Sequence, residues 1–474
     1  MKKSLPIVVK VLLFILGVGI LYSYISCRPL DIIDEVWNYG FARSIYDGLT
    51  PYKDFNMIIF PLFAFLMAPF SSEFMIYRLA TSVLNVALMF LAIHIVQKYS
   101  THKVIAIPLI AFFGLFKYCF PLATYSEMMY LFIILSFLYL KKYLDIQNPK
   151  NLFLAALFIS LALITKHSVP AIIIIGMTPA IIYLCWKNRN IKDFMLYALG
   201  GVLPVLALIV HAVANGYLLE MIDLTIMGIG EFSTVSSQNW IFYLCIIACI
   251  LFVLLLMLDK ILNKTKLLHS YLVAVFALSS YFFFAPLPDI YHPCLAIFVM
   301  CSILSTVEAK FFIKELFLSG AMVLLSIFLL FPIASSYSIP ETEYSCWECF
   351  ENVPLEPRFI NNHTAAISLI QKYRDMGFDV VNCSLNAMTT SLIMEEHNWY
   401  FDLLMKGNLG IEGKKKVFAA LDDKDVVIVL KDDSEWHTVL DYIKDTFVQI
   451  DSLVTDTVEY EMFVKPDVLA SINT

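Results

Sequence analysis

The sequence predicts a polytopic α-helical membrane protein with a small soluble α/β domain at its C-terminal end. Of its 474 residues, 60% are hydrophobic and only 15% are charged, and the mean hydropathy is +0.76. Soluble domains carry about 25% charged residues, so a wholly soluble protein is excluded. Residues 1–336 contain 22 Lys and Arg against 16 Asp and Glu, whereas residues 337–474 contain 11 against 24. The two regions are therefore adapted to different environments.

Eleven apolar segments are long enough to cross a bilayer, which takes about 20 apolar residues. They lie near residues 5–26, 73–97, 104–120, 121–140, 151–165, 168–186, 193–213, 239–258, 267–284, 290–306 and 316–334. The first is predicted to be an uncleaved helix, since no small-x-small cleavage pattern precedes Cys27. Residues 55–70 are apolar but contain Pro61 and Pro69, so this segment is predicted to lie at the membrane interface.

The orientation follows from the charges of the loops. With a cytoplasmic N-terminus, 16 of the 22 Lys and Arg in residues 1–336 fall on the inside, a strong positive-inside bias. Eleven spans then place the C-terminal domain outside. We therefore predict a multi-pass protein of the plasma membrane, with the bacterial inner membrane favoured by the compact basic loops.

The predicted division is a transmembrane domain at 1–336, with a first external loop at 27–72, and a soluble extracytoplasmic domain at 337–474. Residues 363–376, 384–396 and 434–445 of the latter have helical patterns, and 378–382, 426–430, 447–450 and 459–464 have strand patterns. Cys346, Cys349 and Cys383 lie in this domain, and their pattern is compatible with a disulfide, with free thiols, or with metal or redox chemistry at the C-x-x-C spacing of Cys346 and Cys349. No basic tract or internal repeat indicates nucleic acid as a partner.

Polar residues in the membrane region collect towards the outer leaflet. Ionisable groups at membrane depth are costly and usually mark functional sites. The first external loop is rich in charge, and further charges come from several different span ends. These candidates are Asp34, Glu35, Arg78, Lys117, Glu127, Lys166, His167, Asp289 and His292. This distribution favours a site at the outer lipid–water boundary rather than a path through the membrane.

The residues after the first span resemble a known superfamily. Asp34-Glu35-Val36-Trp37-Asn38 follows that span directly, and Phe60-Pro61-Leu62-Phe63 and then Tyr77-Arg78-Leu79 come after it. This order resembles the GT-C glycosyltransferases, specifically the bacterial relatives of protein O-mannosyltransferases and of the lipid A aminoarabinose transferase. The resemblance covers residues 27–80 well and extends loosely to Tyr125-Ser126-Glu127, Thr165-Lys166-His167 and the segment containing Asp289, Tyr291 and His292. It does not reach the tail.

The resemblance implies a hexosyl- or pentosyltransferase that uses a polyprenyl-phosphate sugar as donor and a glycan, lipid or protein hydroxyl as acceptor. Asp34 matches the catalytic acid of the family and is the expected general base, and inversion at the anomeric carbon is expected. Two roles stay open for Glu35, which are orienting the acceptor and binding a divalent cation. The expected contacts to the donor and its phosphate are Arg78, Lys117, Glu127, Lys166, His167, Asp289, Tyr291 and His292.

Each of these residues also has an ordinary structural interpretation. Asp34 and Glu35 fit as solvated loop acids, Arg78 as a residue that extends to lipid headgroups, and Glu127 as a carboxylate favoured by a helix dipole. Lys166 and His167 fit as interfacial anchors, and Asp289 fits as a helix cap. At the level of the whole protein, a transporter or flippase of lipid-linked saccharide and a non-catalytic assembly factor are the alternatives.

Overall fold

A computed structural model gives the architecture of most of the chain. It describes residues 6–30, 34–100, 103–227, 267–280, 283, 291–307, 318–324, 326–327, 329–330, 341–345, 347–384, 387–396, 401, 404–405, 408–431 and 437–469. The predicted span at 239–258 lies outside these residues, as do Asp289 and Cys346.

The described helices account for most of the structure. In chain order they are α1 (Ile7–Ser26), α2 (Asp34–Tyr46), α3 (Leu62–Met67), α4 (Phe74–Tyr99), α5 (Ala106–Cys119), α6 (Tyr125–Ile146), α7 (Pro149–Leu163), α8 (Ser168–Lys187), α9 (Ile191–Asn215), α10 (Leu218–Ile222), α11 (Leu267–Ser279), α12 (Tyr291–Leu304), α13 (Pro357–Asp375), α14 (Ala387–Ile393), α15 (Gly410–Asp422) and α16 (Leu440–Thr446). The chain forms two compact units, Met1–Ile25 with Thr81–Val210 and Ser236–Ile339, and Ser26–Ala80 with His211–Val235 and Pro340–Thr474.

The first unit is the membrane region, and the protein is a multi-pass membrane protein. Among the described residues, α1, α4, α8 and α9 are long and apolar enough to cross a bilayer, and α7, α11 and α12 are shorter apolar helices. Most of the apolar side chains of α1 and α9 are exposed, as expected of helices that face lipid. Buried side chains of α4–α8, α11 and α12 form the core of this unit. The total of eleven spans stays a prediction.

The start of α6 differs from the predicted span at 121–140. The helix begins at Tyr125, because residues 120–124 are not helical and Thr124 closes the first turn as a capping box with Glu127. Pro121 lies in this connection, where its fixed φ and missing N–H disfavour a continuous helix. The helix then continues to Ile146, beyond the predicted end.

The second unit contains the first external loop, which includes a helix that the hydrophobic pattern did not indicate. Helix α2 has Asp34 and Glu35 in its first turn and Arg43 in its last, a charge order that favours the helix dipole. It packs against α3, which covers only part of the predicted interfacial segment at 55–70. Pro61 stands at the N-cap of α3, and a single 3-10 turn containing Pro69 follows it.

The tail in the same unit forms a mixed sheet flanked by helices. Its strands are β3 (Val380–Asn382), β4 (Val426–Leu430), β5 (Val448–Val454) and β6 (Glu459–Val464), after a short antiparallel pair of β1 (Glu343–Tyr344) and β2 (Pro354–Leu355). The sheet order is β3-β4-β6-β5, with β3 parallel to β4 and the other pairs antiparallel. All residues of β4 are buried because helices cover both faces of this strand, which explains its continuous apolar sequence.

The tail is attached to the membrane-proximal segments of its own unit. The Leu30 amide donates to the carbonyl of Pro354 over 3.3 Å, and Gly40 of α2 packs so closely against the Met388 side chain that a Cβ atom at Gly40 would lie 2.3 Å from Met388 Sδ. The Asp223 carboxylate accepts from the amides of Ile411 and Gly413 over 2.9 Å each, and so caps α15.

This cap generates a stability prediction at Gly410. The residue has φ +65°, and a Cβ atom there would lie 2.5 Å from Asp223 Oδ2. Gly377 has φ +89° but nothing within 4 Å of its Cβ position, so Gly377→Ala carries backbone strain alone. We expect Gly377→Ala to cost about 1–2 kcal/mol and Gly410→Ala to cost more, because it also displaces the cap. Hydrogen exchange of the α13 and α15 amides measures both, and equal losses would contradict a close Asp223 contact.

Candidate functional site

The acidic pair after the first span divides into one exposed and one buried carboxylate. Asp34 is the first residue of α2 and its side chain is exposed, whereas Glu35 is 2% exposed. The Asn38 side chain donates to the Asp34 carbonyl over 2.6 Å, which fixes the first turn of the helix. Adjacent residues on a helix point about 100° apart, so the two carboxylates lie in different surroundings.

Glu35 forms a buried, two-pronged ion pair with Arg78. Arg78 Nε lies 2.8 Å from Glu35 Oε1 and Nη2 lies 2.9 Å from Oε2. Both side chains are only 1% exposed. Two parallel hydrogen bonds between a guanidinium and a carboxylate are stronger and more directional than a single contact. The pair therefore holds the N-terminal turn of α2 to the start of α4.

Arg78 has further partners that explain its burial. Its Nη1 donates to the carbonyl of Arg28 over 3.0 Å, and its guanidinium lies 5.1 Å from the ring centre of Phe74. Tyr39 packs edge-on against Phe74 at 4.7 Å, and burial raises the pKa of Tyr39 to about 12. Arg78 thus joins the end of the first span, α2 and α4 instead of extending towards headgroups.

A divalent cation does not fit at Glu35. Both carboxylate oxygens already accept from Arg78, and a guanidinium this close would repel a second cation. Within the described ranges, no group of three His, Cys, Asp or Glu side chains lies close enough to hold a metal.

Three other predicted residues meet in the membrane unit. Lys117 Nζ lies 2.6 Å from Glu127 Oε1 and also donates to the Leu122 carbonyl over 2.9 Å. The Tyr291 hydroxyl donates to the same carboxylate over 2.8 Å. Lys117 is 3% exposed and Glu127 is fully buried, so this cluster joins α5, α6 and α12 by a neutralised pair. Its two charged members contact each other instead of an open surface.

Lys166 and His292 come together on one aromatic ring. Lys166 Nζ lies 4.5 Å from the ring centre of Phe283 and 5.0 Å from that of Tyr125. The His292 ring lies 4.6 Å from Phe283 on centroids. His167 is half-buried at the N-cap of α8. Lys166 is half-buried and lies against these two ring faces, which attract a cation electrostatically.

Several residues that contact the predicted site residues are not indicated by the sequence analysis above as site residues. Thr124 donates from its amide and hydroxyl to Glu127, and the pattern Thr-x-x-Glu before an apolar run is a signal for that capping box. Phe283 gave no signal, because one Phe among 38 is indistinguishable from a lipid-facing residue. Arg28 contributes its carbonyl oxygen to Arg78, which no side-chain pattern reveals.

The buried pair generates a test by substitution. Glu35→Gln leaves the Arg78 charge buried without its counter-ion, which should cost about 3–5 kcal/mol. Thermal unfolding of the detergent-solubilised protein measures this loss. Asp47→Asn is the matched control, since it breaks a half-exposed pair with Arg43 at 2.9 Å and should cost at most about 1 kcal/mol.

A double variant separates charge from packing. Glu35→Leu combined with Arg78→Met removes both charges and should recover much of the lost stability, because apolar replacements of a buried pair are often tolerated. A Glu35→Gln protein as stable as Asp47→Asn would contradict the buried pairing.

Comparison with known proteins gives no sequence relatives but two similar structures. The sequence matches no known family and no curated protein. The structure is similar to ArnT from Cupriavidus metallidurans bound to undecaprenyl phosphate, at 11% identity and a TM-score of 0.49 over 97% of this chain and 98% of that one. It is also similar to the arabinosyltransferase EmbB from Mycobacterium smegmatis, at 10% identity and a TM-score of 0.37 over 96% of this chain and 46% of that one.

Proposed function

We propose that this protein is a membrane glycosyltransferase that moves a sugar from a polyprenyl phosphate to an acceptor hydroxyl at the outer face of the membrane. The observation that carries the proposal is the division of the acidic pair. Asp34 is exposed at the N-terminus of α2, while Glu35 beside it is buried and held by Arg78. One carboxylate is thereby accessible to substrate, and the other fixes its position.

Asp34 is the general base of the proposed reaction. Its carboxylate accepts the proton of the acceptor hydroxyl while that oxygen attacks the anomeric carbon. The bond between this carbon and the phosphate oxygen breaks in the same step, and the electron pair leaves with the polyprenyl phosphate. One displacement inverts the anomeric carbon, and no glycosyl-enzyme intermediate is needed. The position of Asp34 at a helix N-terminus favours its negative charge.

Glu35 and Arg78 are positioning residues in this proposal. A base is effective only when it lies within hydrogen-bond reach of its proton, and small displacements of catalytic groups cost much of the rate. The pair ties the first turn of α2 to α4 through two hydrogen bonds. Asp34 is the residue immediately before this tie, so its backbone has little freedom to shift.

Lys166 is the proposed contact for the leaving phosphate. A lipid phosphate gains negative charge as the glycosidic bond breaks, and a fixed cation stabilises that charge. Lys117 is buried in a pair with Glu127, whereas Lys166 is half-buried against Tyr125 and Phe283, so its side chain is still partly accessible. His292 lies against the same Phe283 ring and is a second candidate contact.

Replacement of Asp34 tests the base. Asp34→Asn should lower sugar transfer by about 10²–10⁴-fold, and because the side chain is exposed it should cost at most about 1 kcal/mol of stability, from the lost interaction with the helix dipole. The measurement is release of polyprenyl phosphate from a panel of polyprenyl-phosphate sugars by the purified protein, with Asp47→Asn as control. Full transfer by the variant would contradict the assignment, and movement of lipid-linked sugar across liposomes without any transfer would favour the transporter.

Replacement of Lys166 tests the phosphate contact. Lys166→Gln removes a charge-assisted contact worth about 1.5–3 kcal/mol, so the donor KM or the rate of donor cleavage should worsen by roughly 10–100-fold. Lys150→Gln, at an exposed position in the first turn of α7, is the matched control. If both variants behave alike, Lys166 only anchors its helix at the interface.

A further inference from the structure

The tail contains a cavity that the proposed reaction does not use. Its volume is about 350 Å³, within the range of about 300–1,000 Å³ usual for small-molecule sites. Leu30 from the first external loop lines it together with residues at the start of α13, including Glu356, Arg358, Phe359 and His363. The cavity lies entirely within the second compact unit.

A buried histidine supplies an unused hydrogen-bonding group. His363 is only 1% exposed, and its Nδ1 lies 3.0 Å from the Thr390 hydroxyl. In the part of the chain that the structure describes, its Nε2 has no hydrogen-bond partner. His363 lines the cavity, so its Nε2 can form a hydrogen bond with a ligand there.

Asn362 offers a second group at the same wall. Its Oδ1 accepts from the hydroxyls of Thr455 and Thr457 over 2.8 and 3.0 Å. This arrangement fixes the amide, and its NH2 has no partner among the described residues. The wall therefore presents an oriented donor beside the imidazole.

The cavity has polar groups but no net charge. Glu356 and Arg358 pair with each other, so their charges cancel. Burial lowers the pKa of His363 to about 3, so the imidazole is neutral at physiological pH. Phe359, Leu30 and Val458 supply apolar surface in the same cavity. A neutral ligand with several hydroxyls and an apolar face matches this combination, which describes a sugar ring.

The cavity is also near the proposed base along the chain. Leu30 precedes Asp34 by four residues, and four residues span at most about 14 Å. The Leu30 amide is itself bonded to the Pro354 carbonyl, so this wall of the cavity is connected through the chain to the helix that begins with Asp34.

We infer that this cavity binds a neutral sugar unit of the acceptor and so makes the acceptor a glycan. That the bound sugar belongs to the acceptor follows from the proposed function, whereas binding of the sugar is inferred from the cavity alone. The sugar ring bonds His363 Nε2 and the Asn362 amide, with its apolar face against Phe359. The tail then selects the acceptor while α2 carries the base.

Direct binding tests the site without turnover. The full-length Asp34→Asn protein in detergent is mixed with the methyl glycosides of glucose, galactose, mannose and N-acetylglucosamine, and saturation-transfer NMR detects contact. We expect at least one glycoside to bind and its affinity to fall at least 10-fold in His363→Gln. Thr364→Ala, exposed on the same helix, should leave it unchanged. Absence of binding by all four glycosides, or equal binding by both variants, would overturn the inference.

A variant at an exposed position keeps the site testable even if His363→Gln misfolds. Arg358 is 66% exposed, so Arg358→Ala should fold normally while leaving the Glu356 charge at the cavity. We expect weaker glycoside binding, with Lys372→Ala, an exposed cation further along α13, as control. Unchanged binding in both His363→Gln and Arg358→Ala would overturn the site.

Kinetics separate this inference from the proposed function. With the bound glycoside as acceptor, His363→Gln should raise the acceptor KM about 10-fold and leave kcat and the donor KM unchanged. Transfer with an unchanged acceptor KM would overturn the cavity site while the glycosyltransferase stands. Glycoside binding without any transfer would support the cavity site and count against the glycosyltransferase.

Discussion

The buried ion pair between Glu35 and Arg78 is the constraint on which the proposed site depends. Burying two charges is costly unless their geometry is good and their remaining hydrogen bonds are satisfied. Here both carboxylate oxygens are paired, and the third guanidinium nitrogen binds the Arg28 carbonyl. The interaction joins residues 28, 35 and 78, so its main effect is to specify one arrangement of the first external loop.

That arrangement explains why two neighbouring acids can have different roles. Asp34 and Glu35 are both carboxylates, and their difference arises from their positions in α2. Residues 35–42 are all buried, whereas Asp34, the first residue of the helix, is exposed. One helix therefore provides both a base that an acceptor can reach and a neighbouring residue that fixes the backbone of that base.

The sequence predicts the membrane architecture and the importance of the first loop, because both depend on composition and chain order. The apolar runs correspond to α1, α4, α8 and α9 within a few residues. The hydrophobic pattern does not indicate helix α2, because polar residues are mixed with its buried apolar ones. It does not indicate α15 either, because the start of that helix, Gly410 to Lys416, has more charged than apolar side chains. Propensity is weak for such helices, and tertiary packing decides them.

The candidate site was predictable in its members but not in its pairings. Arg78, Lys117 and Glu127 are expected from the sequence to contact the donor, but Arg78 pairs with Glu35, 43 residues away, and Lys117 pairs with Glu127. Lys117 and Glu127 are ten residues apart, and the turn at Pro121 brings them together. The cavity beside His363 had no sequence signal at all, because it forms where the first loop meets the tail within one unit.

The anomeric configuration of the product tests the central claim most directly. If Asp34 acts as a base while Glu35 stays bound to Arg78, a single displacement takes place, and proton NMR of the first product should show a configuration opposite to that of the polyprenyl-phosphate donor. Retention of configuration would require a carboxylate nucleophile and would contradict the roles assigned to Asp34 and Glu35.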